Sequence, residues 1–371
     1  MKKKLLIILG VFFFILVLLG SSLYALRKSL LPLAANAADN VLRPLIGSAN
    51  TLKLESYLFA IQDKANQIHP NTPTSADMVF NIDGVDGSKK YLSKLQLTAV
   101  KPIVSKSLFP NEGIWTPMSV GQFPGRIVLA KALLHADPQR PYAYVAMVKM
   151  DVTAMGIGSI AGIKQPGGPI GNPGEGKVPD DIKSNNLLIA AFDGGFQYRD
   201  GAYGMVVNGK TYVPLRNGLA SLYIDSKGSA QIGEYDGKIP ADTVAIRQNG
   251  PLLVKDGQIT SFTEAGKDTW GRTVTVSMYT WRSAIGVTKE GDLIYAVGPS
   301  LRPQTMAAVM QAAGAVNAMQ LDINPFWVRF VLFTPQGNGT YDSASLLKNM
   351  ENGGHSYLNG YQKDFFYLYK K

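Results

Sequence analysis

The stretch LLIAAFDGGFQYRDGAYGMVVNG, residues 187–209, opens with six apolar residues from Leu187 to Phe192. An unbroken apolar run of that length between polar flanks predicts a strand buried on both faces. It runs straight into Asp193-Gly194-Gly195-Phe196. Two adjacent glycines let the backbone turn sharply and let another group approach the main chain closely. Asp193 is thereby fixed at the rigid end of a sheet, where sites often lie. An aspartate that caps its own turn fits the same local sequence.

Outward from this strand the pattern is one of hairpins. Val207 leads into Asn208-Gly209, a strong hairpin dipeptide, and then Thr211–Val213. Further strands are expected at 219–224 and 230–232, at 244–248 and 252–254, and at 283–287 and 293–297. Upstream, residues 142–150 (YAYVAMVKM) half-alternate in the manner of a strand. Residues 303–313 predict a helix, with Pro303 at its start, Met306, Val309, Met310 and Ala313 on one face, and Gly314 at its end. A strand at 315–321 then ends at Asp322, and FFYLY at 365–369 predicts a last, closing strand. Hairpins with one or two packed helices make the fold class α+β. Residues 163–180 are rich in glycine and proline, and so long a loop reads as a flap or an insert.

The N-terminus has a different character. Residues 5–26 carry no charge and follow three lysines. At about 1.5 Å per residue they span a hydrocarbon core of about 30 Å. The segment predicts a retained transmembrane anchor with its N-terminal tip in the cytoplasm and the bulk of the chain outside; a signal peptide cleaved at Ala35-Asn36-Ala37 is the competing reading. Beyond it, Leu54, Tyr57, Leu58, Ile61, Ala65 and Ile68 recur at helical spacing and predict an amphipathic helix over 51–68, with a shorter one at 39–46. It suits a stalk capable of self-association or a packed juxtamembrane hairpin. The expected organisation is a tip at 1–4, an anchor at 5–26, a stalk and linker at 27–112, a lead-in arm at 113–139, a domain at 140–335 and an extension at 336–371.

Composition excludes some chemistry. The 371 residues contain no cysteine, so disulfides and thiolate chemistry are ruled out. The three histidines lie far apart, no metal site is expected, and no pattern names a cofactor. Net charge is +10, but lysine and arginine are scattered without interleaved aromatics, so nucleic acid is not an expected partner.

Taken in order, DGGF at 193–196, Tyr203-Gly204, RSAIG at 282–286 and QLD at 320–322 resemble the phosphodiester glycosidase family. The resemblance extends over roughly residues 140–333. It implies a hydrolase acting on a sugar-1-phosphodiester in a glycan, wall polymer or glycolipid. It places Asp193, Asp322 and Arg282 as catalytic residues and Gly194, Gly195, Phe196, Gly204, Asn249, Gly250, Gln320, Asn324 and Trp327 around the substrate. Carboxylates suit an oxocarbenium-like transition state, and an arginine fork suits a departing phosphate. Backbone amides near Gly194-Gly195 and Asn249-Gly250 would form an anion nest. Two departures stand out: the family usually has asparagine at the position of Asp193, and its glycine- and serine-rich run after the last aspartate is Ile323-Asn324-Pro325-Phe326-Trp327 here. Trp327 reads first as a core residue and second as a sugar platform. A glycan- or phosphate-binding protein without turnover is the alternative function.

Overall fold

A computed structural model describes residues 43–85, 88–104, 107–167, 173–264 and 279–371. The expected anchor at 5–26 lies outside the described residues. Among those described, no helix is long and apolar enough to cross a membrane. The chain divides into two compact units, 1–70 and 71–371.

In the first unit, helices Arg43–Ile46 and Ser48–Ile68 are separated by Gly47 at φ 81°. That left-handed conformation is cheap only for glycine. The long helix stops at His69 because Pro70 disfavours helical geometry in the residue before it.

Among the described residues, the second unit holds three antiparallel sheets and a two-stranded parallel pair, Leu92–Ser93 with Arg126–Ile127. The largest has eight strands, in the order Gln258–Ile259, Leu252–Lys255, Ala315–Ile323, Thr280–Thr288, Leu293–Leu301, Tyr144–Met150, Leu129–His135 and Thr116–Met118. A five-stranded sheet runs Thr340–Ser345, Phe330–Gly337, Leu188–Asp193, Phe365–Lys370 and Met155–Ile160. The third sheet holds Ala230–Glu234, Ala220–Asp225, Thr243–Gln248, Met205–Val207 and Lys210–Val213. The hairpin turn at Asn208 (φ 49°) and Gly209 (φ 75°) has both central residues left-handed, as that dipeptide requires. Mostly sheet with few helices, the unit is α+β.

Helix Pro303–Ala312 begins at the expected proline, buries Met306, Val309 and Met310, and is followed by Gly314 at φ 90°. It lies on the large sheet so closely that a Cβ on Gly286 would meet Met310 Cε at 2.6 Å. Leu188–Asp193 is buried throughout and serves both of its faces. Phe192 joins the main core with Tyr295, Phe330 and Phe366, its ring centroid 5.3–5.7 Å from each. Leu188 and Ala191 join a second cluster with Val331, Phe333, Tyr357 and Phe365. Each such aromatic ring contributes on the order of 2 kcal/mol by leaving water. The strand is therefore clamped from two sides, and its C-terminal Asp193 inherits that rigidity.

Leu129–His135 is a fully buried strand of the large sheet, although its sequence, LAKALLH, falls in the expected lead-in arm. Lys131 obscures the pattern: its ammonium bonds the Ile82 carbonyl and lies 4.6 Å from the Phe80 ring centroid.

Candidate active site

Asp193 ends its strand opposite Phe365 and is 2 % exposed. Three donors hold its carboxylate. Tyr295 Oη donates to Oδ1 at 2.6 Å, the Arg329 amide to the same oxygen at 3.0 Å, and Ser283 Oγ to Oδ2 at 2.5 Å. Burial pushes the carboxyl up to about 6 against the pull of these donors.

Ser283 ties this group to Asp322, whose amide donates to Ser283 Oγ at 3.0 Å. The link depends on a β-bulge. Arg282 faces Ile323 and Ala284 faces Gln320, so Leu321 and Asp322 together oppose the single residue Ser283. Without that extra residue, strand alternation would send Asp322 to the far face of the sheet; with it, Asp322 shares the face of Ser283. Its Oδ1 accepts the Ile323 amide at 2.8 Å, and its Oδ2 is ion-paired with Lys363. Burial raises Asp322 to about 7, Lys363 works against that rise, and Asp193 adds to it. Lys363 is itself 2 % exposed, with its ammonium 4.8 Å from the Trp327 ring centroid. Burial works to lower its pKa, but Asp322 and Tyr361 outweigh that and hold it above the ordinary value.

The Gly194-Gly195 amides, an expected anion nest, already hold an anion of the protein itself. Gly194 donates to the Asp364 carbonyl at 3.1 Å and Gly195 to Asp364 Oδ2 at 2.9 Å. Arg247 grips the same carboxylate through Nε at 2.8 Å and Nη2 at 3.2 Å, and donates to the Phe196 carbonyl at 2.7 Å. Glycine is required here by close approach: a Cβ on Gly194 would lie 2.6 Å from the Asp364 carbonyl oxygen, and one on Gly195 2.6 Å from Arg247 Cζ.

The other expected site residues fall into distinct places. Asn249, fully buried, accepts the Phe196 amide at 3.3 Å and donates to the carbonyls of Gln320 at 2.7 Å and Leu321 at 2.5 Å. It thus fastens the DGGF turn to the bulged strand. The Gly250 carbonyl accepts the Ala220 amide, and that of Gly204 accepts the Gln248 amide. Arg282 lies on the face of its strand opposite Ser283. Its Nε donates to the Leu301 carbonyl at 2.7 Å and its Nη1 to Gln320 Oε1 at 2.8 Å. Complete burial lowers it to about 9. Asn324 adopts φ 82° and donates its amide to the Trp281 carbonyl. Trp281, Phe326 and Trp327 are half-buried beside Asp322 in sequence or through this bond.

Asp193, Asp322 and Asn249 are therefore joined in one hydrogen-bonded region, while the Arg282 side chain reaches the other face. Ser283, Tyr295, Lys363, Asp364 and Arg247 belong to the region as well and were not singled out from sequence. The available signal was a charged dipeptide, Lys363-Asp364, set directly against an apolar strand, and an arginine inside the apolar run 244–248. Among the described residues no group of three His, Asp or Glu side chains could hold a metal. The described ends of the 163–180 loop line a cavity of about 320 Å³ with Tyr198 and Arg199, just past the DGGF turn.

One stability effect follows from Asp193. Its folded pKa lies above the ordinary 3.8, so the folded state binds the proton more tightly than the unfolded state does. Its contribution therefore declines as pH rises from about 4 through about 6. The stability advantage of the wild type over Asp193→Asn, measured by urea unfolding across that range, is expected to shrink with rising pH. An advantage that grew would mean the carboxyl ionises in place without penalty.

Residues 186–322 match the family model described as phosphodiester glycosidase. No curated protein matches the chain. Among solved structures, similarity extends to the zebrafish N-acetylglucosamine-1-phosphodiester alpha-N-acetylglucosaminidase catalytic domain auto-inhibited by pro-peptide, at 15% identity and TM-score 0.39, covering 69% of this chain and 88% of that one. A hypothetical protein from Synechocystis aligns at 14% identity and TM-score 0.34, over 62% of this chain and 59% of that one. A putative exported protein from Burkholderia pseudomallei aligns at 10% and 0.34, over 61% and 74%. The family match spans residues 186–322 and so includes Asp193, Asn249, Arg282 and Asp322.

Proposed function

We propose that this chain is a glycosidase that hydrolyses a sugar-1-phosphodiester in a glycan, wall polymer or glycolipid. The observation that carries the reading is Asp322: a carboxylate turned by a bulge towards a second aspartate, its pKa raised by burial, within the family-matched segment. In the reaction the bond from the anomeric carbon to the phosphate oxygen breaks, and its electron pair leaves with the phosphate. Water supplies the hydroxyl that ends on the sugar, and its remaining proton passes to the departing phosphate or to solvent. The developing positive charge at the ring is met by the Asp322 carboxylate, which lies opposite in charge and in a dry site where that attraction is strong. The phosphate departs as a stable anion and asks for positive charge more than for a proton. Trp281, Phe326 and Trp327 offer half-buried aromatic surface suited to a sugar ring.

The membrane topology belongs to the same proposal, with residues 5–26 as anchor and the glycosidase domain outside the cytoplasm. A mature N-terminus at Ala38 would exclude the anchor. A binding protein without turnover is the second reading, favoured by one observation: the Asp322 carboxylate is already engaged by Lys363 and almost wholly buried. The full chain in detergent, given a panel of sugar-1-phosphodiesters, is expected to release free sugar from at least one. Folded protein that binds such a compound but releases none from any would leave the binding reading in its place.

A further inference from the structure

The matched family segment ends at residue 322, yet the partner of its last carboxylate is Lys363, forty-one residues further on. Lys363 immediately precedes the Phe365–Lys370 strand, which is hydrogen-bonded along Leu188–Asp193. That pairing brings residue 363 to the end of the sheet where Asp193 stops. The following residue, Asp364, is locked by Arg247 and the Gly195 amide, so the backbone beside Lys363 has little freedom. The ammonium meets the Asp322 carboxylate with the Trp327 ring 4.8 Å away.

We propose that Lys363 is a positioning residue that keeps Asp322 ionised and fixed in a water-poor site. The consequence for catalysis rests on the glycosidase reading; the charge state itself does not. The physical reason is that a carboxylate buried without a cation takes up a proton instead of remaining charged. Asp322 faces Asp193, Tyr361 and Lys363, with Ser283 at its backbone. Of these, Asp193 opposes ionisation and tyrosine offers no positive charge; the Ile323 amide favours the anion through one hydrogen bond, and Lys363 favours it with a full positive charge. Arg329 lies nearby over the Tyr361 ring, but its guanidinium is paired with Glu351. Trp327 contributes twice, since its ring face attracts the ammonium and its bulk excludes water from the pair. In this chain, then, the segment Ile323–Trp327 that replaces the family's glycine- and serine-rich run supplies a wall for the ion pair.

The test is a carbon-13 titration of the full chain labelled at aspartate Cγ, with the Asp322 signal assigned by its loss in Asp322→Asn. In Lys363→Met the Asp322 midpoint is expected to rise by about one pH unit or more, since a neighbouring opposite charge moves a carboxyl by about 1–3 units. Lys363→Arg is expected to stay close to the wild type. An unchanged midpoint in folded Lys363→Met would overturn the proposal. Should Lys363→Met fail to fold, the double variant Lys363→Met, Asp322→Asn lacks both buried charges and is expected to fold again; its failure would equally overturn the pairing. Activity separates the two readings. If the wild type hydrolyses a phosphodiester, the acid limb of its kcat/KM profile should move up in Lys363→Met and not in Lys363→Arg. If the wild type hydrolyses none, the glycosidase reading falls while the titration still decides the role of Lys363.

Discussion

Asp322→Asn is expected to lower kcat/KM on a sugar-1-phosphodiester by about 10²–10⁴-fold, the range typical of a carboxyl that acts at the reacting atoms. Asparagine nearly keeps the shape and can still accept the Ile323 amide, but it leaves the buried Lys363 ammonium without its carboxylate, so the change costs stability as well as charge. The fall should appear in kcat with KM little altered, because the interaction strengthens only as positive charge develops on the sugar. Near-ultraviolet circular dichroism would check that the fold survives. Activity retained within a few-fold would remove Asp322 from the reacting centre. Asp193→Asn should be milder, since its carboxylate is engaged by three donors and works through Ser283 and Tyr295.

The largest loss of stability is expected from Asp364→Ala. Asp364 and Arg247 are both 1 % exposed, and their pairing is the internal clamp on the DGGF turn. Removing the carboxylate strands a guanidinium away from water, for which the cost is about 3–5 kcal/mol. Equilibrium urea unfolding should show the midpoint drop accordingly. Replacing both partners, as Asp364→Leu with Arg247→Met, should cost less than the single change, because no unpaired charge remains. A loss well below about 1 kcal/mol for Asp364→Ala would mean that the carbonyls of Tyr203, Gln248 and Phe196 suffice for the guanidinium.

Much of the scaffold was readable from local sequence because local physics sets it. The apolar run before Asp193, the Asn208-Gly209 turn, and the Pro303 and Gly314 boundaries of the helix each depend on residues a few positions apart. The closing strand at 365–369 was equally plain from its apolar pattern. The partnerships were not readable. Lys363 with Asp322, Asp364 with Arg247, and Tyr295 with Asp193 join residues 41, 117 and 102 positions apart. Strand order decides these contacts, and no short pattern encodes it. The bulge at Leu321-Asp322 hides in the same way. QLD reads as regular alternation, which would put Asp322 on the face of Arg282 instead of that of Ser283; the extra residue appears only in the pairing register. Lys131 concealed Leu129–His135 because a lysine in the middle of a run suggests solvent, whereas this one extends its stem through the core to a carbonyl.

The Phe365–Lys370 strand occupies an interior place in its sheet, between Leu188–Asp193 and Met155–Ile160. During synthesis, a ribosome that has passed codon 322 has made both aspartates but neither Lys363 nor Asp364. Until the strand at 365–370 emerges, the sheet has a gap along the edge of Leu188–Asp193, and the buried carboxylates have no cation to meet. Contacts across such long stretches of chain form slowly. A nascent chain that has not reached residue 363 therefore holds both aspartates without the cation that pairs with Asp322.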